Sequence, residues 1–422
     1  MPKILLSLLL TVFFFTTNAQ VQILHCGHLI DVKNSQIFEQ QSVFVDGNSI
    51  TKVEKGYKTE KGATIIDLKN QYVMPGLMDM HVHVEGEYDK NAYMKRFVNN
   101  PADYAILSTN IAKRTLEAGF TTVRDLGGSG VNIALRDAIN DGIVPGPRIY
   151  TAGKSIAITG GHADPTNGFS DELMGNPGPE DGVANGVDEC RKAVRHQIKK
   201  GVDCIKITAT AGVLSLAKNS QAPQFTQDEI DAIIETANDA GVHVAAHAHG
   251  KEGMMRAVKG GITSIEHGTF MDEEVMELMV KNGTYLVATI TAGRSVADSA
   301  KIEGFYPALV QPKAVDIGPK IQGTFGRAYK YGVKIAFGTD AGVFQHGLNA
   351  LEFQYMVEAG MPMMEALRSA TLTGAELLQL DNLGSIEKGF LADIIAVNSN
   401  PIEDPAVMMD VEFVMKDGEI YK

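Results

Sequence analysis

The hydrophobic positions in the central part of the chain follow two alternating patterns. Short apolar runs, typical of buried strands, are separated by longer segments whose apolar residues recur at helical spacing. The predicted strands end near His83, Asp125, Tyr150, Thr208, His247, His267, Thr289 and Asp340. The predicted helices cover 105–118, 188–199, 228–240, 252–259, 273–281 and 314–330. This alternation is typical of βα units, so it predicts an α/β fold with a (β/α)8 TIM-like barrel over 76–380.

The two ends of the chain are rich in short strands separated by turns. The predicted strands are 22–24, 42–45 and 63–68 near the N-terminus and 392–397, 411–415 and 419–421 near the C-terminus. Because the two ends share this pattern, we expect them to pair with each other. They would form a small β-sandwich domain from 20–75 and 381–422.

The first residues of the chain differ from all that follow. Lys3 precedes an apolar run over 4–15, and Ala19 supplies a small residue at the predicted cleavage point. A transmembrane anchor needs about 20 apolar residues, which is more than this run offers. The sequence therefore predicts a signal peptide over 1–19, a secreted or periplasmic protein, and no membrane attachment of the mature form.

Composition narrows the classes of function. Hydrophobic residues make up 44% and charged residues 21% of the chain, near the globular average, which argues against disorder and against a multi-span membrane protein. The net charge of −13 repels phosphate backbones, so nucleic acid is not an expected partner. Cys26, Cys190 and Cys204 form no CxxC pair and allow at most one disulfide. A small-molecule substrate is the expected partner, and assembly into a homo-oligomer stays open.

Polar and ionisable residues lie at or near the predicted strand ends, where barrels of this kind carry their active sites. They are His81, His83, Arg124, Lys206, His247, His267 and Asp340. His81 and His83 are two residues apart in a strand, so their side chains face the same side and can chelate one ion. Imidazole nitrogens and carboxylate oxygens suit zinc or a similar divalent metal. By itself, such a pair of histidines is also compatible with chance.

Two of these candidates carry open alternatives. His243 and His249 each lie an even number of residues from His247, so in a strand all three would face the same side. Only the place of His247 at the end of the apolar run favours it as the ligand. Lys206 is flanked by apolar residues, and burial lowers the pKa of a lysine. A neutral amine can react with carbon dioxide to give a carbamate, an anionic ligand able to bridge two metals. An ion pair with a nearby Asp is the alternative for Lys206.

Six ordered motifs resemble those of the amidohydrolase superfamily. They are MPGLMDMHVH over 74–83, GFTTVRD over 119–125, IKI over 205–207, AHAHG over 246–250, IEHG over 265–268 and GTDAG over 338–342. With GSIEKG over 384–389, the resemblance covers essentially 21–422. The loop Gly160-Gly161-His162 and the strand-borne Lys206 resemble the imidazolonepropionase-like branch, which contains Xaa-Pro dipeptidases and carboxypeptidase-like amidases.

The resemblance implies a binuclear zinc site. The implied ligands are His81, His83 and Asp340 on one ion, His247 and His267 on the other, and carboxylated Lys206 as the bridge. The two ions would activate a water as hydroxide, and Asp340 would be the catalytic residue that passes a proton to the leaving amine. A bridging carbamate argues against a deaminase.

The sequence says least about the substrate. His162 in its glycine-rich loop and Arg294 after the seventh predicted strand are candidate substrate-binding residues, since a basic group suits a carboxylate. A solvated loop charge is an equal interpretation of Arg294, and His346 and Tyr150 are weaker candidates. The leading hypothesis is a hydrolase of dipeptides, Xaa-Pro included, or of N-acyl amino acids. A lactonase or phosphotriesterase on the same scaffold is the alternative, and a non-enzymatic binding protein is disfavoured because it needs no bridging carbamate.

Overall fold

The computed structural model describes residues 21–315 and 317–422, so the predicted signal peptide over 1–19 lies outside the described residues. The strands are β1 (Gln22–Asp31), β2 (Gln36–Asp46), β3 (Ser49–Lys55), β4 (Thr64–Pro75), β5 (Leu77–Val82), β6 (Phe120–Asp125), β7 (Arg148–Thr151), β8 (Cys204–Thr208), β9 (His243–Ala248), β10 (Ser264–His267), β11 (Tyr285–Val287), β12 (Lys334–Ile335), β13 (Ile394–Val397), β14 (Val411–Lys416) and β15 (Glu419–Ile420).

The α-helices are α1 (Ala92–Val98), α2 (Pro101–Glu117), α3 (Val131–Asn140), α4 (Asp171–Met174), α5 (Gly186–Lys199), α6 (Gln227–Asp239), α7 (Lys251–Gly260), α8 (Glu273–Asn282), α9 (Ile290–Ser299), α10 (Gln311–Val315), α11 (Ile317–Tyr331), α12 (Leu351–Glu358), α13 (Met363–Ser369) and α14 (Leu372–Leu377). Each of the predicted helices overlaps one of them. Among the residues described, no helix combines the length and apolar character needed to cross a membrane.

Parallel strands form the centre of the molecule. They make two sheets, one in the order β5-β6-β7 and the other in the order β12-β11-β10-β9-β8. β5, β6, β8, β10 and β11 are buried along their whole length, which is typical of parallel strands covered on both faces. Isolated parallel bridges join the two sheets at both edges, pairing Val82 with Ala341 and Ile156 with Ile207. The predicted α/β fold is confirmed.

The last parallel strand ends earlier than the sequence predicts. β12 covers two residues, whereas the apolar run predicts a strand that ends at Asp340. Beyond β12 the backbone bonds to β5 in an irregular way: the Met80 N–H donates to the Phe337 carbonyl at 2.9 Å, and the Asp340 N–H donates to the His81 carbonyl at 2.7 Å. The left-handed φ of 60° at Asp340 cannot continue a strand. Asp340 nevertheless lies directly beside β5.

Helix α6 shows how local sequence sets an element boundary. Thr226 and Glu229 form a capping box, in which the Thr226 backbone N–H donates to the Glu229 carboxylate at 2.8 Å. The predicted helix over 314–330 begins inside α10 and covers most of α11, and the helices without a sequence prediction are α1, α3, α4, α9, α12, α13 and α14. Several are short, and α9 carries small residues rather than a clear apolar stripe, so periodicity gives little signal there.

The two ends of the chain form one mixed sheet of seven strands, in the order β15-β14-β13-β4-β1-β2-β3. β4 runs antiparallel to β13, with Met74 opposite Ile395, which confirms that the two ends pair. The described residues form a single sheet here, so the two-sheet sandwich stays a prediction. All three cysteines are buried and free, and none forms a disulfide. An ion pair of 3.0 Å between Arg148 of β7 and Asp393 ties this sheet to the parallel strands.

Candidate active site

A cavity of about 200 Å³ lies at the C-terminal ends of the parallel strands, the place where barrel enzymes carry their chemistry. The predicted metal ligands and His162 line it, whereas Arg294 and the weaker candidates do not. The predicted site residues that line the cavity are His81, His83, His162, Lys206, His247, His267 and Asp340. Strands far apart in sequence thus bring their terminal polar side chains into one pocket.

His81, His83 and Asp340 converge at one side of the cavity. The Oδ1 atom of Asp340 lies 3.6 Å from Nε2 of His81 and 3.3 Å from Nε2 of His83. This oxygen is buried, yet neither contact has the geometry of a hydrogen bond. A buried carboxylate oxygen that faces two imidazole nitrogens without a bond to either is the arrangement of ligands around a cation.

A second group of ligand atoms adjoins the first. His247, His249 and His267 place ring nitrogens within 4.8 Å of one another, and His267 belongs equally to a set with His81 and Asp340. The two sets share His267, so they form one continuous cluster. The structure leaves both His247 and His249 in ligand range. The spacing of two residues, which puts both side chains on the same side of a strand, is the sequence signal that already pointed to His249.

The second ring nitrogen of each site histidine tends to be tied to the surrounding structure. Nδ1 of His83 contacts the Gly127 carbonyl at 2.8 Å, and Nδ1 of His267 contacts the Thr289 hydroxyl at 2.7 Å. Nδ1 of His249 contacts the Thr269 hydroxyl at 2.8 Å. Such contacts fix the ring orientation and aim the other nitrogen into the cavity. Sequence reasoning missed Thr269 and Thr289, because their role depends on neighbouring strands.

Three residues at the predicted strand ends adopt a left-handed backbone conformation, which is rare for residues other than glycine. The φ angles are 71° at His267, 57° at Thr289 and 60° at Asp340. For a β-branched residue such as Thr289 a positive φ is a clear outlier. Strained backbone of this kind concentrates at functional sites, where the surrounding structure holds it in place.

Burial controls the protonation states in the cavity. Burial lowers the pKa of His81 to about 4 and the pKa of His247 and His267 well below the ordinary value, so these rings are neutral near pH 7. Burial raises the pKa of Asp340, but the adjacent His81 and His83 outweigh it and lower that pKa below its ordinary value. Burial lowers the pKa of His83 too, but the adjacent Asp340 carboxylate outweighs it and raises that pKa above its ordinary value. Neutral rings at His81, His247 and His267 beside an ionised Asp340 are the protonation states that a divalent metal requires.

Lys206 points into the same cluster. Its Nζ lies 3.4 Å from Nε2 of His81, and the residue is 3% exposed. Burial lowers its pKa to about 8, although the Glu266 and Asp340 carboxylates oppose that shift. A substantial neutral fraction is therefore present at slightly basic pH, and the neutral amine is the form that can become a carbamate.

His162 covers the cavity from its glycine-rich loop. Its ring stacks on His247 with ring centres 4.2 Å apart, and its buried Nδ1 has no hydrogen-bond partner. Burial and the Lys206 charge lower its pKa to about 4. A Cβ at Gly212 would overlap the His162 ring, so the absence of a side chain there makes room for this histidine.

Arg294 does not line the cavity, in contrast to its prediction as a substrate-binding residue. It belongs to α9 rather than to a loop at the cavity mouth, and its guanidinium donates to Gln322 at 2.8 Å and lies over the ring of Tyr355 at 4.8 Å. The side chain therefore packs on the outer helices, because α9 begins directly after Thr289 and turns this position away from the cavity.

Three weaker candidates also lie outside the cavity lining. Arg124 is fully buried among the strands, and Tyr150 packs in an apolar cluster with Met78. His346 contacts the backbone carbonyl of His83 at 3.1 Å through Nε2. Arg124 and His346 support residues of the site and do not face the cavity.

Comparison with known proteins agrees with this geometry. The model of the amidohydrolase family matches residues 72–421. Ochratoxinase of Aspergillus niger is 34% identical over an alignment that covers 96% of this chain and 88% of that protein. A solved Xaa-Pro dipeptidase with methionine bound in the active site is 54% identical with a TM-score of 0.93, over 96% of this chain and 100% of that one.

A further solved relative is a prolidase complexed with N-methylphosphonate-L-proline. It is 32% identical with a TM-score of 0.86, over 95% of this chain and 99% of that one. These matches extend over nearly the whole described chain and confirm the superfamily that the motifs indicate. The chain therefore belongs to the amidohydrolase family, and these relatives support a hydrolase that acts on amide bonds.

Proposed function

We propose that this protein is a metal-dependent hydrolase that cleaves the amide bond of dipeptides, Xaa-Pro included, or of N-acyl amino acids. The observation that carries the proposal is the pair of adjoining ligand sets that share His267 in one cavity. Two sets of this kind suit two neighbouring divalent ions. The proposal also draws on the similarity to a Xaa-Pro dipeptidase and a prolidase.

The described residues fit a metal pair. The unbonded Oδ1 of Asp340 and the neutral imidazoles supply hard and borderline donors of the type zinc accepts. The proposed ligands are His81, His83 and Asp340 for one ion, His247 and His267 for the other, and carboxylated Lys206 between them. An anionic bridge offsets the repulsion between two dications, and Lys206 lies beside His81 where such a bridge is needed.

When bound, the ions supply a water of lowered pKa and polarise the scissile carbonyl. Asp340 is ionised, and its Oδ1 has no hydrogen bond to protein. With Oδ1 offered to the metal, the other carboxylate oxygen would accept a proton and pass it to the leaving amine, which otherwise departs poorly. The buried histidines exclude bulk water and hold the reacting groups in place.

The cavity also favours a small substrate with an apolar side chain. Its volume of about 200 Å³ is below the roughly 300–1,000 Å³ of pockets for drug-sized ligands. Its outer wall includes Val213, Leu214, Val296 and Ile317. His162 faces the same space with an unpartnered nitrogen, so it is the proposed donor to the substrate carboxylate.

A substrate panel tests the proposal. Purified protein loaded with zinc is assayed on Xaa-Pro dipeptides, N-acyl amino acids, their C-terminal methyl esters, lactones and phosphotriesters. We expect the free acids to be preferred over the esters by about tenfold to a few hundredfold in kcat/KM, the worth of one charge-assisted contact. Lactones or phosphotriesters that outpace every peptide would replace this function with the alternative one.

Lys206→Ala tests the metal pair separately from the substrate. We expect this variant to bind one metal instead of two by elemental analysis and to lose most activity, because the bridge is missing. Short carboxylic acids that occupy the vacated space are expected to restore part of the activity. Full activity with a single bound metal in the wild-type protein would contradict the bridging role.

Two broader predictions accompany this function. We take the two parallel sheets as one (β/α)8 barrel, supported by the bridges at both edges and by the similarity to amidohydrolases. We further propose export with cleavage after 19, on the sequence pattern alone. Intact mass of the exported protein tests this, since a retained Met1 would contradict it.

A further inference from the structure

We infer that Glu266, held in place by Arg124, is a positioning residue that orients His81 toward the metal centre. This inference rests on the proposed function, since it concerns a ligand of the proposed metal pair. Glu266 precedes the ligand His267 in sequence but lies below the cavity, inside the ring of strands. Neither Glu266 nor Arg124 lines the cavity.

Both oxygens of the Glu266 carboxylate are occupied. Oε2 contacts Nδ1 of His81 at 2.9 Å, while Oε1 accepts hydrogen bonds from Arg124 at 2.9 Å and from the Ser264 hydroxyl at 2.5 Å. Glu266 and Arg124 are 0% exposed and His81 is 1% exposed. A carboxylate held at both oxygens in a dry interior cannot rotate, so the position of Oε2 under His81 is fixed.

This contact decides which nitrogen of His81 carries the proton. An ionised carboxylate only accepts hydrogen bonds, so Nδ1 of His81 must donate to it. Nε2 then presents its lone pair to the side where Asp340 and Lys206 lie. The opposite tautomer would put an N–H at that position and exclude a metal ion.

His81 differs in this respect from its neighbours. His83 is tied to a backbone carbonyl, and His249 and His267 are tied to threonine hydroxyls. Among the site histidines that the structure describes, only His81 has a hydrogen bond between its Nδ1 and a charged side chain. A carboxylate partner raises the basicity of an imidazole ligand more than a neutral partner does.

Arg124 supplies the compensating charge. It donates to Glu266 and also, through Nε, to the Met80 carbonyl at 2.8 Å, one residue before His81. It therefore ties β5 and β10 together from β6. Removal of one member of a buried ion pair leaves an uncompensated charge and is strongly destabilising, so Glu266 and Arg124 must be replaced together as well as singly.

The test compares three variants in metal-free form. They are Glu266→Gln, the double variant Glu266→Gln with Arg124→Met, and the matched control Glu229→Gln, which changes another buried carboxylate that contacts no site histidine. Circular dichroism and thermal unfolding check the fold, and competition with a chromophoric chelator gives the zinc affinity of each of the two sites.

We expect the double variant to fold and to bind zinc at one site about 10- to 100-fold more weakly, the usual effect of losing a partner of a metal ligand. The control is expected to keep wild-type affinity. A folded double variant with wild-type affinity at both sites would overturn the inference alone. Wild-type protein that binds no divalent metal would overturn the proposed function and this inference with it.

A measurement on the unmutated protein covers the case in which the variants do not fold. With ¹⁵N-labelled histidine in the metal-free wild type, the His81 signals are assigned by their loss in His81→Ala. We expect the shifts of a ring protonated at Nδ1. A His81 ring protonated at Nε2 would contradict the inference.

Discussion

Glu352 is a buried acid on α12 that holds the start of α9. Its carboxylate accepts hydrogen bonds from the Ile290 N–H at 2.8 Å, the Thr291 N–H at 2.7 Å and the Thr291 hydroxyl at 2.6 Å. It is 1% exposed, and burial raises its pKa to about 7 although these hydrogen bonds oppose the shift. Glu352 therefore changes charge near neutral pH at the first turn of a helix that lines the cavity.

The size of the effect follows from the difference between the folded and unfolded pKa values. The ordinary value for this group is 4.5, against about 7 in the fold, and at about 1.4 kcal/mol per pH unit the gap corresponds to about 3 kcal/mol. Below the unfolded pKa both states carry the proton, so the group has no effect. As the pH rises from the unfolded pKa to the folded pKa, the unfolded chain loses its proton first, so the free energy of unfolding falls. Above the folded pKa this loss of unfolding free energy is complete and stays constant.

Glu352→Gln removes this titration. Denaturant unfolding of metal-free wild type and variant is compared from about pH 4 to about pH 8, and all other titrating groups cancel in the difference. We expect the wild type to lose about 3 kcal/mol of unfolding free energy relative to the variant across this range. A difference that stays constant with pH would refute the argument that burial keeps this carboxyl protonated.

Three further predictions concern the cavity. Asp340→Asn is expected to keep the fold and much of the metal but to lower kcat by about 10²- to 10⁴-fold, because an amide cannot accept the proton; unchanged kcat at saturating substrate would exclude the proton transfer. Gly212→Ala is expected to displace His162 and raise KM for free-acid substrates, whereas the control Gly323→Ala, where a Cβ meets nothing within 4 Å, is expected to leave KM unchanged. Arg294→Ala is expected to leave kcat/KM unchanged, since its side chain packs on the outer helices; a loss confined to free-acid substrates would return it to the substrate site.

Local sequence determined much of the architecture and most of the site. Apolar runs predicted the parallel strands, because strands buried on both faces are mostly apolar. The period of two placed His81 and His83 on one side, and the capping box opened α6, since both depend on residues a few positions apart. Lys206 stood out because an ammonium between apolar residues is costly wherever the strand lies.

Tertiary structure alone decided which side chains meet across strands. In the sequence Glu266 is only one residue of the IEHG motif, and its bond to His81 arises only because β5 and β10 face each other across the interior. For the same reason, His249 lies within ligand range beside His247, and Arg294 lies outside the site. The alternation of side chains along a strand limits the directions that a side chain can take. The packing of elements distant in sequence determines which side chains meet. The helix that follows Thr289 turns Arg294 outward, and no pattern within that segment encodes the direction.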